Sequence, residues 1–118
     1  VPNVAWDLLD CVDKPTTVIL DGAVNLAPNL IAEDGSVALR ITGEAFSKEL
    51  CYRFQKPVVS TSANISGEPA AQNYRDISQE IIDSVDYVCW TRRQEHKPHK
   101  PSAIIKLGQG GEIQIIRK

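Results

Sequence analysis

Residues 56–70 read KPVVSTSANISGEPA. Pro57, Val58 and Val59 open the stretch as an apolar, β-branched strand would. The chain then changes to Ser60, Thr61, Ser62, Asn64 and Ser66, all short side chains with hydroxyl or amide groups, and closes on Gly67 and Pro69. Two readings fit. Asx and Ser/Thr turns use these same residues to satisfy their own backbone. Alternatively, the run is a ligand cradle, because open α/β sheets bind ligands where loops diverge at strand ends. Short hydroxyls and free backbone N–H groups suit phosphate or carboxylate oxygens, since they donate without filling the space. Asn64 adds both a donor and an acceptor, and Gly67 permits a turn closed to other residues. Composition alone leaves both readings open.

Working outward, the flanking pattern alternates strands and helices. Asn3 is placed to cap a first helix, with Val4, Leu8, Leu9 and Val12 at helical spacing and Pro15 as its stop. Thr16 to Leu20 is β-branched and apolar, so a strand. A long connection follows, with a short strand expected at Leu30 to Ala32. "SVALRI" at 36–41 reads as a strand with Val37, Leu39 and Ile41 on one face and Ser36, Ala38 and Arg40 on the other. Thr42 is placed to cap a helix running from Glu44 to Phe54, with Phe46, Leu50 and Phe54 as its buried stripe. Beyond the opening stretch, Asp76 or Ser78 starts a helix through Ile77, Ile81 and Ile82, and "DYVCW" at 86–90 reads as a strand. "TRRQEHKPHK" at 91–100 reads as a solvated connection. Ser102 to Leu107 and Glu112 to Arg117 form a hairpin around "GQGG". The expected class is α/β with a mixed parallel and antiparallel sheet flanked by helices.

The bulk numbers bound the function. A chain of 118 residues with 42% hydrophobic and 24% charged content suits one domain, here 1–118, with a modest core. A net charge of −2 argues against a general electrostatic grip on nucleic acid. No apolar run approaches bilayer length, and Val1 to Asp13 is amphipathic and acidic, unlike a secretion signal. Cys11, Cys51 and Cys89 are widely spaced with no CxxC, so they are expected to be reduced, mostly buried thiols of a cytoplasmic protein. His96 and His99 form an HxxH without a surrounding cysteine or carboxylate cluster, so no metal site is assigned. No P-loop, GxGxxG or GxSxG elbow is present, and no catalytic nucleophile is assigned. Arg40, on a strand with apolar neighbours, needs an anionic partner. A substrate or a structural carboxylate would serve equally, and Ser36 shares its face.

KPVVSTSANISGEPA resembles the signature segment of the YrdC-like family, whose enzymes make threonylcarbamoyl adenylate. In order along the chain, "KPTTVIL" is similar to that family's Pro-Gly-Pro-Leu-Thr strand, and "GSVALRI" to its segment ending in Val-Arg. "PSAII" is similar to its Pro-Ser-Thr strand, and "IQIIRK" to its closing strand with an arginine. The resemblance covers essentially the whole chain and implies the C-terminal portion of a YrdC-like domain. It implies synthesis of L-threonylcarbamoyladenylate from L-threonine, bicarbonate and ATP with Mg²⁺, releasing pyrophosphate. Partner proteins then transfer the group to tRNA. By similarity, Ser36, Ser62, Asn64 and Arg117 would contact ATP, while Arg40 and Ser102 would lie on the threonine side. The family's Lys/Arg triphosphate motif would precede Val1, so this chain alone is expected to make no adenylate. Departures are "DKPTT" where Pro-Gly-Pro is usual, Ala103 where threonine is usual, Gln72 where threonine is common, and Lys118 where proline can follow the arginine. The alternatives are an RNA-binding module without catalysis, a divergent paralogue, and the carbamoyl chemistry of hydrogenase maturation. The last accompanies zinc-finger segments that this chain lacks.

Overall fold

The computed structural model describes residues 1–118. The chain groups into two compact units: Val1–Gly43 with Pro101–Lys118, and Glu44–Lys100. The second lies in sequence between the two segments of the first.

The first unit is a helix on a four-stranded sheet. Helix α1 (Asn3–Cys11) places Val4, Ala5, Leu8 and Leu9 on one stripe. Strand β1 (Thr16–Leu20) alternates strictly, with Thr16, Val18 and Leu20 buried and Thr17 and Ile19 less so. β2 is Val37–Arg40, β3 is Ala103–Leu107 and β4 is Ile113–Arg117, in the order β2-β1-β3-β4. β1 pairs antiparallel with β2 and parallel with β3, and β3 pairs antiparallel with β4. The sheet is therefore mixed, as expected. Its core is Ala5, Val18, Leu20 and Leu107, with Val4, Leu8, Leu9 and Ile105 packed against it. The two-residue period of strands puts Thr17, Ile19, Ile104 and Lys106 on the other face, with Arg40 in register with Thr17. Arg40, the last residue of β2, also lines the pocket formed by Val1, Ala5, Trp6 and Leu9.

Details of this unit differ from the sequence reading. Asn3 is the first helical residue rather than the cap; extended Pro2 takes the cap position, and its carbonyl accepts from Ala5 N at 3.0 Å. Leu30 to Ala32 is not a strand, because Pro28–Leu30 closes a 3-10 turn. The β3–β4 hairpin forms as expected, with Gly108 N donating to Glu112 O at 2.9 Å and Gly111 at φ +89°. All five residues of the edge strand β4 are exposed.

The second unit holds helix α2 (Ala45–Phe54), a 3-10 turn at Tyr74–Asp76 and helix α3 (Gln79–Ser84). Glu44 caps α2, in the place expected of Thr42, accepting from Phe46 N and Ser47 N. Gln55 ends it in the left-handed region at φ 59°. Ser78 caps α3 by accepting from Ile81 N, as one of the two sequence alternatives required. The expected stripe of Phe46, Leu50 and Phe54 is exposed, and no residue of this unit is buried. Neither "PVVSTS" nor "DYVCW" forms a strand. Their β-branched content is real, but a strand needs a ladder partner, and Pro57 cannot donate to one. No helix of the chain is long and apolar enough to cross a membrane.

Candidate functional site

In the first unit, β1 carries two threonines that face opposite ways. Thr16 is buried towards α1, its hydroxyl donating to Lys14 O at 3.0 Å. Thr17 turns to the far face, where its Oγ1 lies 2.6 Å from Ser102 Oγ. Ser102 stands two residues before Ile104, which pairs with Thr17, so the two hydroxyls are diagonal neighbours on one face. On the other side of β1, Thr17 is in register with Arg40. Across β3, Ile104 is in register with Arg117, next to a bulge. Arg117 Nε donates to Ser102 O at 2.8 Å. One row across four strands thus runs Arg40, Thr17, Ile104, Arg117, with Ser102 tied to both Thr17 and Arg117.

The charges of this row are unequally engaged. Arg40 is exposed and takes part in none of the chain's ion pairs. Lys106, on β3 in register with Ile19, lies 3.5 Å from Asp34 and 3.9 Å from Asp21. Asp34 also accepts from Ser36 N at 3.0 Å and Ser36 Oγ at 2.6 Å. These two hydrogen bonds from Ser36, helped by Lys106, hold the Asp34 carboxyl below its usual range. Ser36 is buried with its hydroxyl hydrogen committed to Asp34. What it has left is lone pairs. Gly35, at φ +82°, makes this turn possible.

In the second unit, Asn64 Nδ2 donates to Ile65 O at 3.1 Å and Glu68 O at 3.0 Å. Glu68 N donates back to Ile65 O at 2.9 Å, and Gly67 sits at φ +87°. This is a tight turn closed by an amide, so the turn reading of residues 56–70 is realised at its C-terminal end. The amide orientation is fixed physically, since the reverse would set Oδ1 against two carbonyl oxygens. Asn64 Oδ1 is buried with no partner, and buried acceptors ordinarily have one. Ser60, Thr61 and Ser62 are exposed and stand outside that turn.

The basic stretch 91–100 is partly neutralised from within. Arg92 pairs with Glu95 at 2.9 Å and with Glu44 at 3.7 Å, and His99 reaches Glu95 at 3.0 Å. Arg93 donates to Cys89 O and Val88 O and lies over the Trp90 and Tyr74 rings at 4.2 and 5.2 Å. The three cysteines are free thiols, but Cys11 is exposed and neither of the others is fully buried. No three His, Cys, Asp or Glu side chains gather where a metal ion could be held.

The sequence reading missed Thr17 and Asp34. Strand alternation already set Thr17 opposite Val18, but only the parallel β1–β3 pairing shows that it meets Ser102. Asp34-Gly35-Ser36 is an Asx-turn pattern, and it explains Ser36 without a ligand.

An α/β protein whose sheet presents a row of hydroxyl and guanidinium groups is the class that these features define. The chain belongs to the Sua5/YciO/YrdC family: the model of that family, described as "Telomere recombination", matches residues 1–118. A putative threonylcarbamoyl-AMP synthase of Methanocaldococcus jannaschii is 34% identical over 116 residues, 98% of this chain and 53% of that relative. A threonylcarbamoyl-AMP synthase of Dichelobacter nodosus is 35% identical over 71 residues, 60% of this chain and 37% of that relative. The chain thus spans about half or less of the length of these relatives. No solved structure gives a significant match.

Proposed function

We propose that the protein makes L-threonylcarbamoyladenylate from L-threonine, bicarbonate and ATP, for threonylcarbamoyladenosine modification of tRNA. The observation that supports this best is Arg40, an exposed guanidinium without an internal carboxylate, in register with a hydroxyl pair. A guanidinium fork binds a carboxylate bidentately. Arg40 would hold the threonine carboxylate, with Ser102 beside the amino acid. Arg117, its Nε committed to Ser102 O, would offer its terminal nitrogens to the nucleotide. Ser62 would donate to ATP, whereas Ser36 and Asn64 would act as acceptors, since their hydrogens are already given away.

The reaction needs no protein nucleophile. The threonine amine and bicarbonate condense to a carbamate with loss of water. A carbamate oxygen then attacks the α-phosphorus, the bond to the bridging oxygen breaks, and pyrophosphate leaves. Orientation of two anions and stabilisation of growing charge carry such a transfer. Mg²⁺ would be carried on the triphosphate, where it would neutralise charge.

The test is nucleotide binding. In the full-length protein, Ser62→Ala is expected to weaken ATP by ~1–3 kcal/mol in calorimetry, the worth of a buried hydrogen bond. Unchanged affinity would count against the assignment. A second reading, an RNA-binding module without catalysis, is favoured by Trp90, 78% exposed with Arg93 over its ring. Bases stack on such platforms. A salt-dependent shift with RNA, and no nucleotide binding, would select it.

A further inference from the structure

We propose that Thr17 is a positioning residue for the amino-acid end of this site, acting through Ser102. The inference deepens the function proposed above and rests on it. Thr17 is the one member of the row with a site residue on either side: Arg40 in register on β2, and Ser102 within hydrogen-bond reach beyond β3's first residue. At 2.6 Å the two hydroxyls share one hydrogen. One of them donates to the other, so one hydroxyl hydrogen is left to meet an acceptor outside the pair. Arg40 calls for the same kind of ligand group, one rich in acceptor oxygens. Ser102 is also held by its carbonyl, which accepts from Arg117 Nε at 2.8 Å. With the backbone held on one side and the hydroxyl on the other, the Ser102 side chain is fixed in one rotamer. Thr17, β-branched and stiff at χ1 on a central strand, is the group that fixes it.

Thr17→Val keeps the shape and the strand preference and removes only the hydroxyl. In the full-length protein it is expected to raise KM for L-threonine about tenfold, the worth of one hydrogen bond. KM for ATP should stay within twofold, and Thr17→Ser should restore the wild-type value. With Ser102→Ala already present, Thr17→Val should add nothing further. If Thr17→Val does not fold, Thr17→Ala supplies the same readout. An unchanged KM for L-threonine in an active enzyme overturns the role of Thr17 alone. So does an equal rise in both KM values, which is what a loosened sheet would produce. A wild-type protein that neither binds L-threonine nor releases pyrophosphate overturns the proposed function and this role together.

Discussion

Asn64 gives both amide hydrogens to carbonyl oxygens of its own turn, and this decides what it has left to offer. An amide met in sequence suggests a donor for phosphate; in the fold only its oxygen remains. Asn64→Asp replaces the donating Nδ2 with a single oxygen that faces both Ile65 O and Glu68 O. It is expected to open the turn and make the 65–68 backbone amides exchange faster by hydrogen exchange, while Asn64→Gln is milder. Arg40 illustrates the opposite case, a side chain left uncommitted. Arg40→Lys keeps the charge and loses the fork, so L-threonine binding should fall about tenfold with ATP binding intact, in calorimetry. Asp34 sets a pH dependence. Its carboxyl is lowered in the folded state by Ser36, then by Lys106. A lowered carboxyl stabilises the fold above its unfolded value and loses that contribution as pH falls through the folded one. Acid titration followed by circular dichroism should therefore show Asp34→Asn less acid-sensitive than wild type below about pH 4.

At the scale of elements, α2 depends on one carboxylate. Glu44 accepts from Phe46 N at 3.0 Å and from Ser47 N and Ser47 Oγ at 2.8 Å. Those bonds, Ser47 N foremost, lower its own carboxyl. Glu44→Ala is expected to cost about 1 kcal/mol in urea unfolding, as loss of an N-cap does. The same contrast shows what the sequence made legible. β1 was readable to the residue, because "TTVIL" combines a β-branched, apolar run with a Pro15 boundary. The β3–β4 hairpin was readable from its glycines. "PVVSTS" and "DYVCW" were not, since propensity says nothing about whether a partner strand exists. The α2 stripe misled for a related reason: helical spacing of Phe46, Leu50 and Phe54 marks a face that could be covered, without saying that it is. For the candidate site, Arg40 stood out as a charge among apolar strand neighbours and Ser102 only through the family resemblance, whereas the Thr17–Ser102 contact needed the β1–β3 register.

Across the whole molecule, burial is concentrated in one place. Leu107 is 0% exposed beneath α1, and Leu107→Ala should cost about 2–5 kcal/mol in denaturant unfolding. Meanwhile β2 and β4 are both sheet edges, and Ile113, Ile115 and Ile116 on β4 are 58%, 60% and 50% exposed. Apolar edges invite pairing with another chain. Ile115→Lys is expected to reduce light scattering of concentrated protein, with Tm little changed.

The hydroxyl bond from Thr17 to Ser102 joins residues 85 apart in the chain. The central strands of the sheet therefore cannot meet until Ser102 and the strand that follows it have left the ribosome. Closing so long a loop before any contact rewards it is slow. The hydroxyl-bearing face is completed only once Ser102 and β3 emerge, and nascent chains halted before Ser102 would present α1 and β1 without the strand that pairs with β1.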